Sequence, residues 1–239
     1  MNILLDTHTH TIASGHAYNT INEMAQAAQR KGLQLLGITE HGPAMPGAGH
    51  EFYFLNYRVL RREKYGVKLL FGCELNIIDL EGNVDLSRGS LEQLDVGIAS
   101  MHPPCVKSGS RQENTHAYCK AMENPYVNII GHPDDGRFPV DYEELVLAAK
   151  ANHVLLEINN SSLNPVGYRK DSAENDRKML EYCMKYQVPV ILGSDAHTED
   201  DVGEVGYAVD VLNQVGFPEE LVVNTSLEKF LSYIPNGKC

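Results

Sequence analysis

The chain has 239 residues, is 43% hydrophobic, and carries 32 acidic against 20 basic side chains for a formal charge of −12. That length suits one domain over residues 1–239 with a substantial core, while the acidic balance and the lack of any basic block argue against nucleic acid as a partner. No run reaches the ~18 apolar residues of a membrane span, and Met1 leads straight into an apolar segment without a leader pattern, so a cytoplasmic protein is expected.

The first apolar run, NILLD (2–6), is followed at once by His8 and His10. In an extended chain alternate residues share a face, so Asp6, His8 and His10 point the same way and the two imidazoles can close on one ion. His16 follows in the loop, and TINEMAQAAQRKG (20–32) then reads as a helix. Thr20 and Glu23 form a capping box, Ile21, Met24, Ala25 and Ala28 share a face, and Gly32 ends it. The second run, QLLGIT (34–39), leads to His41, which completes a βαβ unit. GPAMPGAGHE (42–51) is rich in Gly and Pro and reads as a mobile surface loop or lid.

The third run, VKLLFGCEL (67–75), brings Glu74; the fourth, LDVGIAS (94–100), is followed by His102; the fifth, VNIIG (127–131), by His132. DYEELVLAAKAN (141–152) starts a helix at Asp141 with Glu144 three residues on. The sixth run is HVLLEIN (153–159), after which NDRKMLEYCMKYQ (175–187) places Met179, Leu180, Cys183 and Met184 on one apolar face. The seventh, VPVILGSD (188–195), delivers Asp195 and then His197, and GYAVDVLNQVG and SLEKFLSYI supply closing helices. Continuous apolar runs suit strands buried on both faces, as in a parallel sheet. The architecture expected is a (β/α) barrel, with a doubly wound open sheet as the competing arrangement.

Seven of the ten histidines, His8, His10, His16, His41, His102, His132 and His197, fall just beyond the C-terminal ends of these strands, together with Glu74 and Asp195. In parallel α/β folds those ends form one rim, where active sites are built. His50, His116 and His153 lie off the pattern, His153 at the start of a strand, and read as structural or solvent-facing. Neutral imidazoles with carboxylates are a donor set for zinc, manganese or iron, and nine candidates call for two or three ions. Cys73, Cys105, Cys119, Cys183 and Cys239 form no CxxC pair and read as reduced thiols.

DTHTHT (6–11), TEHG (39–42), GCE (72–74), the strand-end His102 and His132, and GSDAH (193–197) together resemble the PHP (polymerase and histidinol phosphatase) superfamily. ASGHAYNT and EINNSS narrow the resemblance to its small single-domain bacterial phosphatases of the YcdX type. The resemblance implies a distorted seven-stranded (β/α) barrel, three metal ions per chain, usually zinc with manganese or iron as substitutes, and a homotrimer. By motif, His8, His10, Glu74 and Asp195 would hold one ion, His16, His41 and His197 a second, and Glu74, His102 and His132 a third. Glu40 stands where the family motif usually has Asp, which bears on the orientation of His41. Asp6 is read as an outer acceptor for a ligand imidazole, with a purely structural role as the other reading.

Three divalent ions against two carboxylates leave such a site positive within an acidic chain, which favours an anionic substrate. The expected activity is phosphatase action on a small phosphomonoester by a metal-activated hydroxide, with no protein nucleophile. Ser14, Ser100, Ser161 and Ser194 lie near strand ends, but no GxSxG elbow is present. Asn159, Asn160 and Ser161 read as substrate or turn residues, and Lys107, Arg111 and Arg137 as leaving-group contacts or solvent-facing charges. A metal-dependent amidohydrolase of the TIM-barrel type also starts with HxH and ends with a strand-end Asp. Those enzymes commonly carry a bridging Lys after strand four, where this chain has Ser100, Met101 and His102. A non-enzymatic metal-binding module is the third reading.

Overall fold

A computed structural model describes residues 1–234; Cys239 lies outside the described residues. Each of the seven apolar runs forms a parallel strand: β1 (Leu5–Asp6), β2 (Leu35–His41), β4 (Val67–Asn76), β5 (Gly97–Ser100), β6 (Ile129–Ile130), β7 (Leu155–Asn159) and β8 (Val190–Gly193), each pairing with the next. The sequence reading missed β3 (Glu63–Lys64), which pairs antiparallel with β4. Its turn, Tyr65 and Gly66, has positive φ at both residues (54° and 76°), the backbone a two-residue hairpin needs.

The sheet curls into a barrel with a distorted seam between β1 and β8. No ladder joins these two strands; beyond their ends Thr9 and Ala196 make a single parallel bridge, and His10 N donates to Ala196 O at 2.9 Å. Lower down, the Asn224 side chain takes the place of a ladder. Its Oδ1 accepts from Leu192 N at 2.7 Å, and its Nδ2 donates to Leu5 O at 3.0 Å and Leu192 O at 2.8 Å. Asp6 adds a third tie, accepting from Ser194 Oγ at 2.5 Å and Gly203 N at 2.9 Å.

Strand alternation stacks the barrel interior in layers. At the bottom, Leu5, Leu35, Leu70, Ile98, Ile129, Leu155 and Ile191 form an apolar plug, closed from below by Val223, Phe230 and Ile234. One layer up the residues are small: a Cβ on Gly131 would lie 2.3 Å from Ser100 Oγ, and one on Gly193 would lie 1.9 Å from Glu157 Oε1. The missing side chains make room for the Glu157 carboxylate, and the layer above carries His41 and Glu74.

A larger apolar cluster lies between the outer face of the sheet and the helices. Those helices are α1 (Ile21–Arg30), the single turns α2 (Phe52–Leu55) and α3 (Arg88–Leu91), α4 (Arg111–Met122), α5 (Tyr142–Asn152), α6 (Ser172–Tyr186) and α7 (Gly206–Val215), whereas α8 (Leu227–Leu231) closes the barrel from below through Phe230. The expected Thr20–Glu23 capping box is present on α1, and Asp141 caps α5. His153 does not begin a strand as read from the sequence: it is the left-handed cap of α5 (φ 56°), and its ring stacks on Tyr233 at 4.0 Å. The segment 42–51, expected as a mobile surface loop or lid, lies at the surface with Ala44, Pro46, Gly47 and His50 exposed, while Ala44 N donates to Asp85 Oδ2 at 2.9 Å and Met45 is buried. Among the described residues no helix is long and apolar enough to cross a membrane.

Asn224→Ala would leave three buried backbone groups at the seam without that partner and is expected to lower stability by about 3 kcal/mol. The urea midpoint should fall with an unchanged slope; an unmoved midpoint would refute the seam's dependence on this side chain.

Candidate metal centre

Parallel strands deliver their C-terminal ends to one rim, and all nine sequence-predicted site residues meet there. His41 is the last residue of β2 and pairs across the ladder with Glu74 of β4, which sets His41 Nδ1 2.7 Å from Glu74 Oε2. The other oxygen, Oε1, lies 2.8 Å from His132 Nε2, 3.2 Å from His102 Nε2 and 3.4 Å from His8 Nε2. His10 Nε2 sits 3.5 Å from Glu74 Oε2 and 3.3 Å from Asp195 Oδ1. His16, the most exposed of the set, brings its ring within 4.9 Å of His41 and 5.0 Å of His197, centroid to centroid. His132 (φ 33°) and Asp195 (φ 55°) adopt left-handed backbone, uncommon outside glycine and a local strain of the kind that gathers at functional sites.

His8 Nε2, His10 Nε2, His102 Nε2, His41 Nδ1, His132 Nδ1 and Glu74 Oε2 are buried without a hydrogen-bond partner. Buried polar atoms are almost always paired, so this many in one cluster marks it as a candidate site for a group that would take their lone pairs. Donor atoms of His8, His10 and Glu74, of His10, His41 and His197, and of His41, Glu74 and His102 lie within 4.8 Å of one another in each trio. Imidazole nitrogens and carboxylate oxygens at this spacing fit zinc, manganese or iron.

The outer hydrogen bonds decide which nitrogen faces inward. His8 Nδ1 donates to Glu157 Oε1 at 2.7 Å, leaving the Nε2 lone pair to the cluster. His102 Nδ1 donates to Asn76 Oδ1 at 2.8 Å, while the same amide donates to Gly42 O and Asp85 Oδ2 and so cannot flip. His197 Nδ1 donates to its neighbour's carbonyl, Asp195 O, at 3.0 Å. Ser14 Oγ donates to Glu40 Oε2 at 2.6 Å, which leaves it to accept from His10 Nδ1 at 3.1 Å and His41 N at 3.0 Å. Glu40, in place of the expected Asp, therefore acts on both His10 and His41 through Ser14.

Protonation follows from burial and neighbours. Burial pushes the Glu74 carboxyl up, but the His102, His8 and His41 imidazoles outweigh it and hold it well below the usual range. Asp195 is likewise held low against burial by His8 and Arg169. Burial takes His102 down to about 4 against the pull of Glu74, and burial with His41 and His197 holds His10 well below its ordinary value. Both are therefore neutral at pH 7, the form that ligates. For His8, burial is overcome by the Glu157, Glu74 and Asp195 carboxylates, which raise it well above 6.5.

Asp6 touches no imidazole ring; it ties the seam through Ser194, Gly203 and the His8 backbone N–H, so its role is structural. The sequence reading missed Glu157, whose Oε2 also accepts from His132 N at 2.9 Å and Asn159 Nδ2 at 3.0 Å. The signal was there: a single acidic residue inside the buried run LLEIN. Asn76, two residues after Glu74, and Arg169 on Asp195 were missed too. Arg137 pairs with Asp135, and Lys107 and Arg111 are exposed.

The sequence profile described as the PHP domain matches residues 6–238. A probable phosphatase of Clostridium novyi is 47% identical over 234 residues, covering 98% of this chain and 95% of its own. A probable phosphatase of a Thermoanaerobacter species is 47% identical over 239 residues, 100% of this chain and 97% of its own. In three dimensions the chain resembles histidinol phosphate phosphatase of Lactococcus lactis, solved with zinc, L-histidinol and phosphate. The TM-score is 0.62 at 18% identity over 90% of this chain and 94% of that one.

Ligation needs neutral imidazoles, so protons compete with zinc for this cluster, and zinc affinity in a chelator competition should fall as the pH drops from 7 to 5. An affinity that does not fall would contradict binding through these histidines. Glu157→Gln should weaken zinc affinity by about 10–100-fold in a chelator competition.

Proposed function

The chain belongs to the PHP domain family, and on that footing we propose that it is a zinc-dependent phosphatase of small phosphomonoesters with a three-ion centre. The observation that carries the reading is the cluster of seven imidazoles and two carboxylates on one rim, with buried donor atoms that no protein group satisfies. Nine donors match three ions at three or four protein ligands each when Glu74, which approaches five of the imidazoles, is shared. Bound zinc supplies Lewis acidity toward phosphoryl oxygens and a lowered pKa for water.

The chain's own residues provide the rest. Glu157, Asn76 and Ser14 hold His8, His102 and His10 with Nε2 turned inward. Glu74 and Asp195 stay ionised, and His10 and His102 stay neutral, so the donor set is ready near pH 7. Two carboxylates against three divalent cations leave the rim positive, which selects a dianion from solution even though the chain carries −12 overall. Neither a nucleophilic side chain nor a separate strong base is required by this arrangement.

Metal-replete protein is expected to hydrolyse p-nitrophenyl phosphate in preference to ester and amide substrates, and to hold about three zinc ions per chain by elemental analysis. His8→Ala and Asp195→Ala should each lower kcat/KM by about a thousandfold, the scale of several kcal/mol of metal-borne stabilisation. Amide turnover without phosphate turnover would move the protein to the amidohydrolase reading, and no turnover of any substrate would leave only a metal-binding module.

A further inference from the structure

Arg169 lies in the loop between β7 and α6, in the stretch NPVGYRKD. Its neighbours there face solvent, Val166 at 90% and Tyr168 at 68% exposure, yet the Arg169 side chain is turned inward to 4%. Burying a guanidinium is costly unless its donors are matched. Here Nε is buried without a partner, while both terminal nitrogens reach the same acceptor atom. Nη1 and Nη2 each lie 3.0 Å from Asp195 Oδ2, and Nη1 also donates to Asn159 Oδ1 at 3.1 Å and Ser162 Oγ at 3.0 Å.

The same carboxylate oxygen accepts from Asn159 Nδ2 at 3.3 Å, so three N–H groups surround Oδ2. Oδ1 receives none of them. It lies 3.3 Å from His10 Nε2 and 3.7 Å from His8 Nε2, the two buried nitrogens whose lone pairs have no partner. We propose that Arg169 is a positioning residue that saturates Asp195 Oδ2 and so presents Asp195 to the metal centre through Oδ1 alone.

The inference rests on the metal-centre reading and adds to it a device that sets how many oxygens Asp195 offers. Only a planar fork can place two donors on one oxygen while a third contact fixes its plane; a lysine ammonium brings the charge without that geometry. A buried ion pair is by itself weak evidence of a purpose beyond stability. What distinguishes this one is that its acceptor is the oxygen turned away from the unpartnered imidazoles, while the oxygen turned toward them has only His10, His8 and His197 as neighbours.

The test is zinc affinity, by competition with a chromogenic chelator, in wild type, Arg169→Met and Arg169→Lys, alone and combined with Asp195→Asn, with thermal melts of the metal-free proteins alongside. Arg169→Met should bind one zinc about 10–100-fold more weakly, with Arg169→Lys intermediate. In the Asp195→Asn background neither change should weaken binding further, because the effect runs through that carboxylate. If Arg169→Met fails to fold, Arg169→Lys decides by the same comparison. Wild-type protein that takes up no zinc would sink the metal-centre reading itself. Wild-type uptake with unaltered affinity in the variants would overturn the role of Arg169 alone, as would an equal loss in the Asp195→Asn background.

Discussion

The structure is organised around a set of buried lone pairs that no protein donor meets. Imidazole nitrogens of His8, His10, His41 and His102 and an oxygen of Glu74 face one another within a few ångströms, buried and without a hydrogen-bond partner. Desolvated polar atoms are tolerated only when something compensates them, so the rest of the rim is best understood as a device for aiming these atoms at an occupant. The Glu157 carboxylate, the Asn76 amide, the Ser14 hydroxyl and a main-chain carbonyl each take the outward N–H of one imidazole. Four chemically different acceptors thus produce the same result, an inward nitrogen with its lone pair free.

The barrel makes that aiming rigid. A plug of branched and aromatic side chains fills its lower third, where close packing fixes the strand positions. Above it the interior narrows to glycines and short side chains, and the Glu157 carboxylate fits into the space a Cβ on Gly193 would take. GSDAH therefore reads in two parts: Asp195 and His197 are candidate donors, whereas Gly193 leaves the space that lets a carboxylate from the neighbouring strand reach His8. The same economy appears in Asn224, which replaces a missing stretch of ladder with one amide.

Much of this was legible in the sequence, because parallel strands announce themselves as unbroken apolar runs and their C-terminal ends share a face. All seven runs became strands, and all nine candidate donors reached one cluster. The residues that escaped reading are those whose role depends on a partner far away in sequence. Glu157 acts on His8 across 149 positions, and nothing local marks it beyond a charge inside an apolar run. For Asp6 two readings stayed open, because its proximity to His8 and His10 suggested an imidazole partner; its bonds to Ser194 and Gly203 at the seam favour the structural one. β3 was missed because two charged residues carry no hydrophobic signal at all.

The seam also governs the order in which the molecule is built. Asp6 meets Ser194 across 188 positions and Leu5 meets Asn224 across 219, so the first strand to emerge must wait for the last before its edge is covered. Contacts of such separation are the slowest to form, since the intervening chain must be ordered before they repay its confinement. His8 and His10 therefore gain Asp195 and His197 as companions only once the two ends of the chain have met. The rim is a closed ring, and closure of the ring is what completes it.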